Sequence, residues 1–111
     1  MIYIVNKEIN VLCCLCGKRH SIDTTNLKLD TYTIEKSMGD EIEYSWIHLS
    51  KCPNCDREIR FNILAYEYPP TQFNWKDFEK NNCSFDSKLI KFGGCHGCDD
   101  FDTDYFFRNM K

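Results

Sequence analysis

Six of the eight cysteines in this 111-residue chain fall into Cys-x-x-Cys pairs: Cys13/Cys16, Cys52/Cys55 and Cys95/Cys98. The first pair runs into Gly17-Lys18, and the second reads Lys51-Cys52-Pro53-Asn54-Cys55-Asp56. Gly after a pair and Pro inside one suit a tight knuckle, in which the chain reverses while backbone N–H groups turn toward sulfur. Zn²⁺ takes four tetrahedral ligands, so two knuckles supply four thiolates and leave no open position. The spacing therefore predicts a closed, structural zinc site on Cys13, Cys16, Cys52 and Cys55. Tetrahedral sulfur also suits iron, which is the minor competitor.

Cys14, Cys83, Cys95 and Cys98 remain. Cys95 and Cys98 have ligand spacing and follow Gly93-Gly94. With Cys83 and either Cys14 or His96 they would close a second site, so one zinc is expected and two are allowed. The competing readings are thiols buried for packing and a redox pair. A reactive thiolate needs nearby cations or a helix N-terminus, whereas Asp99, Asp100, Asp102 and Asp104 follow directly. A secreted disulfide framework is the remaining alternative. The start, Met1-Ile-Tyr-Ile-Val-Asn-Lys, is too short and wrongly flanked for an export signal. Metal binding and a cytoplasmic address are the expectation, with no membrane involvement.

No catalytic constellation stands out. His20, His48 and His96 lie in no metalloprotease-type motif, and there is no Gly-rich phosphate loop or nucleophile elbow. The adjacent acids Asp40/Glu41 and Asp99/Asp100 suit solvated loops, because neighbours along a strand point to opposite faces. The chain is expected not to be an enzyme. Its formal net charge is −3, and four thiolates on one Zn²⁺ would take it to about −5. That is a poor start for gripping a phosphate backbone, where Lys and Arg dominate affinity.

The elements that would carry the knuckles are legible in part. Residues 1–12 end in Val11-Leu12 and predict a short strand entering the first knuckle, and residues 18–23 predict the strand leaving it. Residues 24–38 are polar and fit either strand or frayed helix. From Gly39 the alternation is clear: Ile42, Tyr44, Trp46 and His48 share one face of a strand, as do Ile59, Phe61, Ile63 and Ala65 of the next. Tyr68-Pro69-Pro70 ends that strand. Residues 71–82 have room for one helical turn, and residues 85–92 predict a second small hairpin.

Two period-2 strands joined by a Cys-x-x-Cys turn, with a second knuckle upstream, resemble the zinc-ribbon architecture over about residues 9–68. The resemblance implies a mostly β fold with a small antiparallel sheet. It implies no particular function, because ribbons serve many unrelated proteins. A single domain over 1–111 is expected, with a ribbon core at about 9–68 and a C-terminal extension at 69–111. The 35 residues between Cys16 and Cys52 exceed what a minimal ribbon needs, so added strands or a loop excursion are expected there.

The functional expectation is a small zinc-stabilised module that binds another protein through its aromatic-rich sheet and the acid–aromatic tail at 99–107. Such a chain suits an inhibitor or an immunity- or antitoxin-type accessory protein facing a basic toxin or nuclease. The alternative is a nucleic-acid-binding ribbon. It would use Lys18, Arg19, Arg57 and Arg60 with Tyr44, Trp46 and Phe61 as stacking faces, against interleaved Glu41, Glu43, Asp56 and Glu58.

Overall fold

The computed structural model describes residues 1–98, so the acid–aromatic tail lies outside the described residues. Those 98 residues form nine strands and two short 3-10 turns: β1 Tyr3–Ile4, β2 Glu8–Cys13, β3 Arg19–Asp23, β4 Lys28–Lys36, β5 Gly39–Lys51, β6 Glu58–Glu67, β7 Phe73–Asn81, β8 Cys83–Ser84 and β9 Phe92–Gly93. The fold is mostly β, as the alternation predicts, and its named sheets are antiparallel.

A four-stranded sheet in the order β4-β5-β6-β7 dominates the molecule. Tyr44, Trp46 and His48 pair with Ala65, Ile63 and Phe61, which puts the two predicted apolar stripes on one face. A smaller sheet, β3-β2-β8, lies against that face. Ile9, Val11 and Cys13 from β2 complete one core with Ile59, Phe61, Ile63, Phe85, Ile90 and Phe92. Phe61 meets Phe85 edge-on at 5.1 Å, and Trp46 tilts over Phe92 at 5.8 Å. The molecule measures 47 × 39 × 19 Å. Packed sheets stand about 10 Å apart, so the short dimension accommodates two layers, and among the described residues the second face of the large sheet carries no further one.

One segment left open by the sequence is resolved by the structure, and two differ from the sequence reading. Residues 24–38 resolve into a 3-10 turn and the long strand β4, whose hairpin with β5 is the excursion expected between the knuckles. Residues 71–82 are strand β7 and not a helical turn. Residues 85–92 form no hairpin of their own: β8 pairs with β2 and β9 with β1. The C-terminal extension thus closes on the N-terminal strands, with Met1 donating from its amino group to the Gly94 carbonyl at 3.3 Å.

At the open end of the β5–β6 hairpin the four-stranded sheet turns on unusual backbone. Gly39 opens β5 at φ +106, and a Cβ there would run into the Pro70 ring at 2.8 Å. Across from it, Tyr68–Pro69 is cis and Thr71 has φ +72. The carboxylate of buried Glu67 accepts from the Tyr44 hydroxyl at 2.9 Å and from the Thr71 N–H at 3.0 Å. Both carboxylate oxygens are satisfied, which is what a buried acid requires.

Candidate metal centre

The two knuckles sit at the tips of hairpins from different sheets, β2–β3 and β5–β6, and they are built alike. In the first, Cys13 N–H donates to the Lys18 carbonyl and Gly17 N–H to the Cys13 carbonyl, both at 2.8 Å. In the second, Cys52 N–H donates to Arg57 and Asp56 N–H to Cys52, again both at 2.8 Å. The residue after each second cysteine takes a left-handed conformation: Gly17 at φ +77 and Asp56 at φ +61. Gly adopts this freely and Asp is one of the few other residues that tolerates it. The tight reversal expected of Gly17 is therefore repeated in the second knuckle by Asp56.

Folding brings Cys13, Cys16, Cys52 and Cys55 together with all four sulfurs within 4.8 Å of one another. Cys13 Sγ lies 3.8 Å from Cys55 Sγ, and Cys16 Sγ lies 3.6 Å from Cys52 Sγ. With Zn–S bonds near 2.3 Å, the edge of a regular tetrahedron of sulfurs is about 3.8 Å. Both cross-knuckle pairs match that edge. Cys13 and Cys52 are buried while Cys16 and Cys55 are half-buried, so the cluster sits where the core meets the surface. The arrangement fits one four-coordinate thiophilic cation.

Proton affinities in the cluster diverge, as crowded thiols require. The Asn54 side chain, followed by the Lys18 backbone, stabilises the Cys16 thiolate and holds its pKa at about 6. At Cys55 the Arg57 backbone N–H pulls down, but burial and the neighbouring Cys52, Cys13 and Cys16 outweigh it and push the pKa up to about 11. Four negative charges cannot share this volume unaided. A divalent cation removes the repulsion and displaces the thiol protons.

His20 is the member of the site that spacing does not reveal. Its Nε2 lies 3.1 Å from Cys52 Sγ, which matches an N–H···S hydrogen bond from one knuckle's hairpin to the other knuckle's ligand. His20 pairs with Val11 across β2–β3 and so shares the inward face of Val11 and Cys13. That alternation is the signal in the sequence that could have found it.

The second site requires correction. Cys95 and Cys98 are joined to each other in a disulfide, with Cα atoms 5.8 Å apart. Their sulfurs are consumed in that bond and offer no thiolate to a metal. Among the described residues, Cys13, Cys16, Cys52 and Cys55 are the one group of side chains placed to hold a cation. The proposed companions do not converge either: Cys83 is buried with its thiol directed to the Arg60 carbonyl at 3.3 Å, and Cys14 is exposed in the first knuckle. His96 joins the 69–73 turn through its backbone, donating to Thr71 and accepting from Phe73, both at 2.7 Å.

Around the metal end Lys18, Arg19, Lys51, Arg57 and Arg60 are exposed, together with Asp56 and Glu58. The rings expected to stack on bases are not exposed with them: Tyr44, Trp46 and Phe61 all belong to the core. Among the described residues no helix is long and apolar enough to cross a membrane. Comparison with protein-family models, with characterised proteins and with solved structures finds no match to this chain.

Proposed function

We propose that the chain is a zinc-stabilised module of zinc-ribbon type that acts by binding another protein. In this reading Zn²⁺ occupies the four-cysteine centre and locks the two hairpins together. Four thiolates fill a tetrahedral ion, so the metal has no position for substrate or water and its role is structural. The role that fits a small acidic module of this kind is an accessory or inhibitory partner of a basic protein.

The observation that carries the reading is strand β4. All nine of its residues are exposed, and it lies at the edge of the sheet with one side unpaired among the described residues. It adds little to the core yet holds Leu29, Tyr32 and Ile34 in solvent. A long edge strand with apolar side chains is a template for another chain and an aggregation hazard when left bare. A partner that adds its own strand there, or covers the adjoining face, accounts for its persistence.

The nucleic-acid alternative retains the exposed cations of the metal end, but it loses the stacking rings to the core. Photo-crosslinking discriminates. A photoreactive residue in place of Tyr32 should trap one discrete protein in cells, while the same residue in place of exposed Leu89, away from β4, should not. Gel shifts with single- and double-stranded nucleic acid across a salt series should show no retained complex. Micromolar binding that collapses with salt, with no crosslinked protein at position 32, would replace this reading with the alternative.

A further inference from the structure

The face of the four-stranded sheet that no other described element covers has a defined chemistry. Register places Glu43, Tyr66 and Trp75 side by side across β5, β6 and β7, with Tyr32 of β4 completing the row. Tyr66 and Trp75 stack with centroids 4.5 Å apart and planes 1° from parallel, and Trp75 remains 45 % exposed. The next row runs Asp30, Ser45, Leu64, Asp77. These two rows hold three carboxylates and no cation.

We infer that this face is the docking surface for a lysine- or arginine-bearing segment of the partner protein, its cationic side chains lying on the Tyr66–Trp75 pair between Glu43 and Asp77. The inference rests on the protein-binding reading and names the partner's chemistry. Aromatic faces attract guanidinium and ammonium groups through the ring quadrupole, and a carboxylate beside the ring supplies the ion pair. The local field agrees: burial first, then the charges of Glu43, Asp77 and Glu41, raise the Tyr66 phenol above its ordinary value. One row further on, the shallow groove that Glu79 lines also carries Arg60 and Lys80, so the purely acidic field is that of the Glu43 and Asp77 rows.

Other occupants fit less well. A second copy of this chain would set Glu43 and Asp77 against their own kind. A nucleic-acid backbone would meet the same repulsion.

The test is an NMR titration of the ¹⁵N-labelled, zinc-loaded chain with two synthetic octapeptides, alternating Lys–Val and alternating Glu–Val. The Lys–Val peptide should shift the Trp75 indole N–H and the Tyr66 and Asp77 amides, and the Glu–Val peptide should leave them in place. Glu43→Lys combined with Asp77→Lys reverses the charge of this face, giving up the Glu43–Tyr66 and Asp77–Phe78 hydrogen bonds, and should weaken the Lys–Val interaction by about tenfold or more. Trp75→Ala, which keeps the charges, should weaken it as well. The inference is overturned if the Lys–Val peptide shifts other residues, if the charge reversal has no effect, or if the Glu–Val peptide binds equally. Any of these results alongside a protein crosslink at position 32 would remove the cationic partner and leave the protein-binding reading standing.

Discussion

His20 and Cys52, which lie on different hairpins, meet at 3.1 Å between Nε2 and Sγ. An imidazole N–H in that position spreads the charge of a metal-bound thiolate and fixes the approach of one knuckle to the other. Groups that hydrogen-bond metal ligands typically change affinity by about 10–100-fold when removed. His20→Phe should therefore lose metal to a chromophoric chelator at a concentration at least about tenfold lower than wild type does. His20→Asn, which keeps a donor, should recover part of that difference. Equal retention by all three proteins would show that the contact does not support the site.

Two non-glycine residues at positive φ have opposite prospects for stabilisation. Asp56 at φ +61 belongs to a residue type that tolerates the left-handed region, whereas Thr71 at φ +72 is β-branched and does not. Thr71 is held there by its N–H bond to Glu67 and by the His96 N–H donating to its carbonyl. Thr71→Gly should stabilise the protein by about 0.5–1 kcal/mol, the relief of strain exceeding the added entropy of the unfolded chain. Asp56→Gly should be close to neutral. Thermal melts of the metal-loaded variants provide the check, and a lower melting temperature for Thr71→Gly would contradict it.

His48 gives the fold a predictable acid sensitivity. Its ring stacks on Phe61 at 5.1 Å and its Nε2 lies 2.8 Å from Ser50 Oγ. Burial lowers its pKa from the ordinary 6.5. The unfolded chain therefore takes up a proton at a higher pH than the folded one. This contribution is fully present above pH 6.5 and is lost as pH falls from there toward the folded value, with a slope of at most about 1.4 kcal/mol per pH unit. His48→Gln should flatten the decline in stability between about pH 7 and 5.5, measured as a difference from wild type so that thiolate protonation cancels. An unchanged slope would contradict the assignment.

The Cys95–Cys98 bond and the thiolate cluster predict a definite thiol count. Cys13, Cys14, Cys16, Cys52, Cys55 and Cys83 are free. Alkylation of the denatured, chelated protein without reductant should label these six, and prior reduction should add Cys95 and Cys98. Replacing both Cys95 and Cys98 by Ser should leave metal content unchanged. Loss of metal from that double variant would restore a role in ligation.

The knuckles and strands β5 and β6 were legible because ligand spacing and period-2 alternation are local signals. β7 escaped detection for two reasons. A bulge at Tyr66/Glu67 shifts the register between Trp75 and Phe73, and the core side of the strand carries Lys76 and Lys80. Their ammonium groups lie over the Phe92 and Phe85 rings at 5.9 and 4.4 Å while their stems cover apolar surface. Charged residues on the inward face erase the alternation. β4 lacked the pattern because neither of its faces is buried. Cys95 and Cys98 were ambiguous in principle, since one spacing serves both a ligand pair and a disulfide. Alternation places His20 on the inward face beside Val11, while its partner Cys52 follows only from how the two hairpins pack.

The central claim is that one divalent ion, held by four thiolates from two hairpins, keeps the sheets together. Native mass spectrometry of the purified protein tests it most directly, with and without chelation and beside Cys52→Ser. One zinc per chain is predicted, lost together with cooperative unfolding on chelation and absent from the variant. A chain that carries no metal, or that keeps its melting transition unchanged when stripped, would contradict the account.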